Sequence, residues 1–153
     1  MNQDAVQNEK SLHPIQLITL AVRELFIKSN LPPDSSVGAE AEKCNIITGS
    51  SDYNRETKSI AVTLKLETGI DDNEEDSPYS MRIEIVGIFQ VDEAHFSVEH
   101  VPDWARRNAP IILYPYIREH AHSLPVRCGF SPLVLPLLEV PIFKLEKSRS
   151  DRI

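Results

Sequence analysis

The sequence predicts an α+β fold: a four-stranded antiparallel meander sheet with one long proline-kinked helix on one face. Two observations predict the sheet. In residues 59–68, Ile60, Val62, Leu64 and Leu66 alternate strictly with Ala61, Thr63, Lys65 and Glu67. That is the period of a strand with one buried and one partly wet face. In residues 79–91, Tyr79, Met81, Ile83, Ile85, Gly87, Phe89 and Val91 share one face. The other face turns from polar (Ser80, Arg82, Glu84) to apolar (Val86, Ile88). A third observation predicts the helix. Residues 109–125, APIILYPYIREHAHSLP, read as helical although they hold Pro110, Pro115 and Pro125. Pro110 suits a first turn, where its missing N–H has no partner to lose. Pro115 removes a donor and presses on the preceding turn, so the helix is expected to kink there or start one turn later.

The other elements follow in chain order. Residues 1–12 are polar and expected to fray. From Pro14 the apolar residues Ile15, Leu17, Ile18, Leu20, Val22, Leu25, Phe26 and Ile27 fit a strand or a helix by period, since Ile18, Val22, Leu25 and Phe26 make a fair helical face. Residues 30–42, with Pro32, Pro33, Ser35 and Ser36, read as a loop. Residues 43–53 read as a second, more polar strand, and 71–77 as a polar turn. Strands joined by short polar loops form a meander.

Composition narrows the function. The chain has 153 residues, enough for one domain with one core. Its net charge of −7 argues against nucleic acid, which asks for a basic face. No apolar run approaches the ~20 residues of a membrane span, so no membrane insertion is expected. The start MNQDAVQNEK lacks the basic and apolar regions of a secretory signal. The two cysteines, Cys44 and Cys128, suggest neither a disulfide framework nor a zinc motif. A cytoplasmic protein with buried free thiols fits best.

The chain has no Gly-rich phosphate loop, no Gly-x-Ser-x-Gly and no His-Glu-x-x-His. No cofactor, no metal and no enzymatic activity are expected. His120 and His122 are two apart in a helix and cannot readily share a metal. His95 and His100, with Glu93 and Glu99, lie in a loop before the helix. A small metal-dependent enzyme built on them is the alternative of a different class, but catalytic zinc asks for three supported protein ligands.

Two segments stand out. The run Asp71-Asp72-Asn73-Glu74-Glu75-Asp76 is either a solvated hairpin turn or a docking patch for a basic partner. It lacks the spacing of an EF-hand. Residues 132–143 hold three prolines, which exclude a central strand or continuous helix. Large apolar side chains nonetheless dominate there, each forgoing roughly 1.5–3 kcal/mol if exposed. The segment either packs on the core or lines a surface for apolar partners.

Pro110-Ile111-Ile112-Leu113-Tyr114-Pro115-Tyr116-Ile117-Arg118-Glu119 resembles the helix of the protein-export chaperone family SecB, whose pattern is close to Pro-x-Ile-Leu-Phe-Pro-Tyr-x-Arg-Glu. Gly87-Ile88-Phe89 is similar to that family's Gly-Ile-Phe, and Gly129-Phe130 with Pro132, Leu133 and Leu135 to its Gly-x-Phe-Pro-x-Leu-x-Leu. The similarity is clear over residues 57–138. It favours a long, bulged strand for residues 15–27.

The resemblance implies an ATP-independent holdase for protein export and translocation, whose partners are unfolded preproteins and the export motor SecA. A SecB-like chaperone of a toxin–antitoxin system, protecting an antitoxin client, is the alternative. It implies a homotetramer, a dimer of dimers, with Ile112, Tyr116 and Leu124 as interface candidates. It implies a client groove walled by residues 132–143, with Leu133, Leu135, Leu137, Leu138, Val140 and Phe143 as candidates together with Ile88. It implies partner docking through Glu24 and the acids Asp71, Asp72, Glu74, Glu75 and Asp76.

The chain also departs from the family. By alignment the second docking acid of the first strand falls on Lys28, and the family's second helix has no room. The expected organisation is a flexible N-terminus (1–12), a SecB-like domain (13–143) and a short basic tail (144–153).

Overall fold

A computed structural model describes residues 11–34, 36–70 and 77–139. It contains β1 (Ile15–Ser29), β2 (Asn45–Ser50), β3 (Ser59–Thr68), β4 (Tyr79–Val91), α1 (Val101–Arg107) and α2 (Ala109–Ser123). The four strands form one antiparallel sheet in the order β1-β4-β3-β2. Only β2, β3 and β4 make the expected meander. β1 does not lie beside β2; it pairs on the far edge of β4, a Greek-key order. Its connection to β2 passes the start of β4, with Asn30 N–H donating to the Pro78 carbonyl and Ala39 N–H to the Tyr79 hydroxyl.

β1 is a strand with two register irregularities, at Leu17/Thr19 and Val22/Glu24. Ile18 and Arg23 are the extra residues. Each shifts the side-chain alternation by one, so Leu17, Leu20, Val22, Leu25 and Ile27 all fall opposite the core-facing residues of β4.

The core lies between this face and the helices. Ile60, Val62, Leu64 and Leu66 of β3 and Met81, Ile83, Ile85 and Phe89 of β4 are buried against Leu113, Ile117 and Ala121 of α2. Gly87 lets the helix approach. A Cβ there would meet Leu113 Cδ2 at 2.8 Å and Leu17 Cδ1 at 3.0 Å.

The helical region starts earlier than the sequence predicts, at Val101, with Pro102 in the first turn of α1. It is interrupted at Asn108, just before Pro110, where a donor is missing. Pro115 does not interrupt the helix; it lies inside continuous α2 on its exposed side. There water can meet the carbonyl left without a helical partner.

Candidate functional site

The proline-rich segment is set in place from its start. After α2 the chain makes a 3-10 turn, Pro125–Cys128, closed by Gly129 at φ 85°. That is the left-handed region glycine favours. Phe130 then buries its ring 5.3 Å from that of Tyr79, and Ser131 N–H donates to the Val37 carbonyl at 3.1 Å. Beyond it burial alternates from residue 132 to 135, and residues 136–139 are all exposed. Leu133 and Leu135 are each 2% exposed, whereas Val134, Leu137 and Leu138 are 65%, 80% and 43% exposed. The Tyr114 hydroxyl of α2 donates to the Pro136 carbonyl and holds the segment against the helix. Burial keeps this hydroxyl's pKa above its ordinary value, so it remains a donor.

This divides the groove candidates. Leu133 and Leu135 are core residues, buried as part of the main apolar cluster. Leu137 and Leu138 are surface residues, and Val134, which the sequence reading passed over, joins them. Its signal was its place between two leucines in a segment that prolines keep out of helix and central strand. Ile88 belongs elsewhere. Its register with Thr19 and Ala61 puts it on the sheet face away from α2, so it cannot share a groove with the loop. Val140 and Phe143 lie outside the described residues, as do Asp71, Asp72, Glu74, Glu75 and Asp76.

A second apolar surface lies on the helix side of the sheet. α2 covers β3 and β4 and leaves the β1 side open. Leu20, Val22 and Leu25 are 38–46% exposed there, beside a helix that exposes Ile112 and Tyr116. A cleft of about 480 Å³ runs between the start of β1 and the α1–α2 junction, lined by Ile15, Leu17, Phe89, Trp104, Ile111 and Ile112. Asn108 also lines it, and its Oδ1 is buried without a hydrogen-bond partner among the described residues. Leu124 does not belong to this surface. It is buried at the end of α2 as part of the core.

The opposite face of the sheet is charged and balanced. Glu24, Glu67 and Glu84 are matched there by Lys28, Lys65 and Arg82. Glu24 Oε1 accepts from Arg82 Nε at 3.0 Å, and the Arg82 guanidinium lies 4.6 Å from the Phe26 ring centroid. Lys65 pairs with Glu67 at 2.9 Å. That hydrogen bond raises the Lys65 pKa, with smaller help from Glu84 and Glu24.

The histidines do not converge. His95 pairs with Asp92 at 2.7 Å and holds that carboxyl below its ordinary pKa. His100 pairs with Glu99 at 3.6 Å. Among the described residues no three His, Cys, Asp or Glu side chains assemble a metal site. No helix there is long and apolar enough to cross a membrane. Cys44 and Cys128 are both free and half-buried.

Comparison with known proteins agrees with this architecture. The fold is similar to that of the Mycobacterium tuberculosis Rv1957 SecB-like chaperone, solved in complex with a ChAD peptide from the HigA1 antitoxin. The TM-score is 0.65 over 84% of this chain and 94% of that one, at 17% identity, a likeness of fold alone. An uncharacterized protein of Methanocaldococcus jannaschii is 27% identical over 89 residues, 58% of this chain. The match spans 56% of that relative's length. The family model described as preprotein translocase subunit SecB matches residues 8–143. This chain, with its Pro110–Glu119 helix motif and its open apolar surfaces, belongs to the SecB family.

Proposed function

We propose that this protein is an ATP-independent holdase that binds unfolded or nascent polypeptides through their apolar side chains. The observation that carries the reading is the proline-rich segment. Val134, Leu137 and Leu138 are held outward on a backbone anchored by buried Leu133 and Leu135 and by the Tyr114–Pro136 bond. Apolar side chains fixed in the open have no role in the stability of one chain. The test is suppression of aggregation of a chemically unfolded substrate without nucleotide. Leu137→Asp and Leu138→Asp are expected to weaken capture with little change in melting temperature. Unchanged capture in both variants rejects the loop as client surface.

Assembly is the second part of the proposal. Ile112, Tyr116, Leu20, Val22 and Leu25 form more apolar surface than one two-layer domain covers. A dimer of dimers would bury it, and light scattering is expected to give about 69 kDa, four times the 17.3 kDa chain. A 17 kDa species at micromolar concentration rejects this.

Export through SecA and protection of an antitoxin are the two destinations for a client. The balanced outer face, where Arg82 already pairs with Glu24 and Lys28 replaces a second acid, favours the second, because a basic partner gains little from it. The structural neighbour solved with an antitoxin peptide supports the same reading. Titrating the purified protein with SecA and with an antitoxin peptide separates them. Tight binding of SecA alone would restore the export reading.

A further inference from the structure

Asn108 joins α1 to α2, and no donor nearby is left for its side chain. An N-cap asparagine is extended and accepts from the N–H two or three residues on. Asn108 is instead helical, with φ −103° and ψ −42°. Two residues on, Pro110 has no N–H. The N–H groups of Ile111 and Ile112 both reach the Asn108 carbonyl, at 3.2 and 3.3 Å. Oδ1 is therefore buried with no partner among the described residues. Buried polar atoms left in this way are uncommon in native proteins and call for an explanation.

The surface around Asn108 supplies one. Asn108, Ile112 and Tyr116 follow one another at four-residue spacing and form a single ridge of the helix. Ile112 and Tyr116 are 41% and 40% exposed on it, and Asn108 and Ile112 line the same apolar cleft. This ridge is symmetric about Ile112. When a second copy lays its α2 antiparallel on this one, with the two Ile112 side chains at the two-fold axis, Asn108 falls opposite the partner's Tyr116. A phenol O–H is a donor, and Oδ1 is an acceptor that lacks one. Charge selects the same direction. Arg106 and Arg107 share the Asp103 carboxylate, at 2.8 and 3.2 Å, which leaves a positive charge over at the end of α1. Antiparallel helices bring the exposed Glu119 towards the partner's Arg107. Parallel helices would set Glu119 against the partner's Glu119, a like-charge contact.

We propose that α2 packs antiparallel on α2 of a second copy about Ile112, and that the Tyr116 hydroxyl of each copy donates to Asn108 Oδ1 of the other. The pairing rests on the assembly reading above and gives that interface its register. No bond holds Oδ1 within its own chain, so the half-buried Asn108 side chain turns towards the phenol without losing one. Rotamer changes of this kind are common at interfaces. An apolar ridge alone tolerates sliding, whereas a buried polar pair satisfied in one alignment fixes that alignment.

Sedimentation velocity on the full chain over a dilution series tests this. Tyr116→Phe and Asn108→Ala are each expected to raise the dissociation midpoint about ten-fold, because two bonds are lost per helix pair. The double variant is expected to dissociate no more readily than either single one, since all three lack the same bonds. Losses that add in the double variant overturn the pairing, and so does an oligomer indifferent to Tyr116→Phe. That variant alters an exposed ring and leaves the core intact. The alignment has its own readout, in a chain carrying Cys44→Ser and Cys128→Ser. There Ile112→Cys is expected to form an intermolecular disulfide on mild oxidation, because the axis sets both copies of the residue within disulfide reach. Cross-linking through Tyr116→Cys and not through Ile112→Cys overturns the antiparallel arrangement. A parent chain of 17.3 kDa at every concentration removes the assembly reading and the pairing with it. An oligomer that fails only the double-variant and cysteine tests removes the pairing alone.

Discussion

The hydroxyl of Tyr114 donates to the carbonyl of Pro136, so one side chain of α2 ties the helix to a segment that makes no ladder of its own. Tyr114→Phe keeps the buried ring and removes the donor. The expected loss is about 1 kcal/mol in chemical denaturation. Proteolytic cleavage beside Leu137 and Leu138 is expected to quicken while the α2 amides keep their protection from exchange. A loss spread evenly over α2 and the loop would show that the bond does not act as a local anchor.

Leu133 and Leu135 differ from their neighbours in what truncation does. Each is 2% exposed, and replacement by alanine is expected to cost about 2–5 kcal/mol. Leu137→Ala and Leu138→Ala are expected to stay within about 0.5 kcal/mol of the parent. Urea unfolding of the four variants decides it, and a uniform cost would return the whole segment to the core.

Gly87 marks where α2 comes nearest to the sheet. Gly87→Ala places a Cβ 2.8 Å from Leu113 Cδ2 and 3.0 Å from Leu17 Cδ1. Overpacking of this kind costs about 1–3 kcal/mol. Leu113→Val in the same chain is expected to recover part of the loss, and a failure to recover would locate the strain elsewhere.

Tyr79 gives the protein an alkaline limit. Its side chain is fully buried, and burial pushes the hydroxyl pKa from 10.0 up to about 12. The folded state therefore favours the neutral phenol. Its contribution is complete below pH 10 and is lost as pH rises through about 12. The stability difference between the parent and Tyr79→Phe is expected to be flat to about pH 10 and then to shrink. Parallel profiles throughout would show a tyrosine that titrates normally.

The parts of the fold that were legible in the sequence are those where one physical rule acts alone. β3 and β4 keep period 2 without a break, and their limits can be read directly from Ser59–Thr68 and Tyr79–Val91. β1 was ambiguous for a specific reason. Its extra residues Ile18 and Arg23 shift the alternation, and a twice-shifted strand places Ile18, Val22 and Leu25 at helix-like spacing. α1 was missed because Pro110 resembled a helix start, although Pro102 had already started one. Strand order was hidden because a connection holding Pro32 and Pro33 does not reveal which edge it leads to.

The candidate site was legible in composition but not in orientation. Prolines amid large apolar residues marked the segment. Which leucines face the core depends on a backbone direction set by Gly129, the Ser131–Val37 bond and Tyr114, all fixed by residues distant in sequence. The outer face could not be judged from Glu24 alone, because its balance depends on Arg82 and Lys65 from other strands.

The strand order has a consequence during synthesis. β1 is synthesised before the other three strands of the sheet and is the longest of them, yet its hydrogen-bonding partner β4 ends at Val91, 62 residues beyond Ser29. At roughly 5–20 residues per second, β1 waits about 3–12 s for that partner to be translated. Over that interval the apolar residues Leu17, Leu20, Val22, Leu25 and Ile27, which face the core in the folded sheet, lack their β4 partners. Each newborn copy thus passes through a state resembling the unfolded segments that the family's name associates with export.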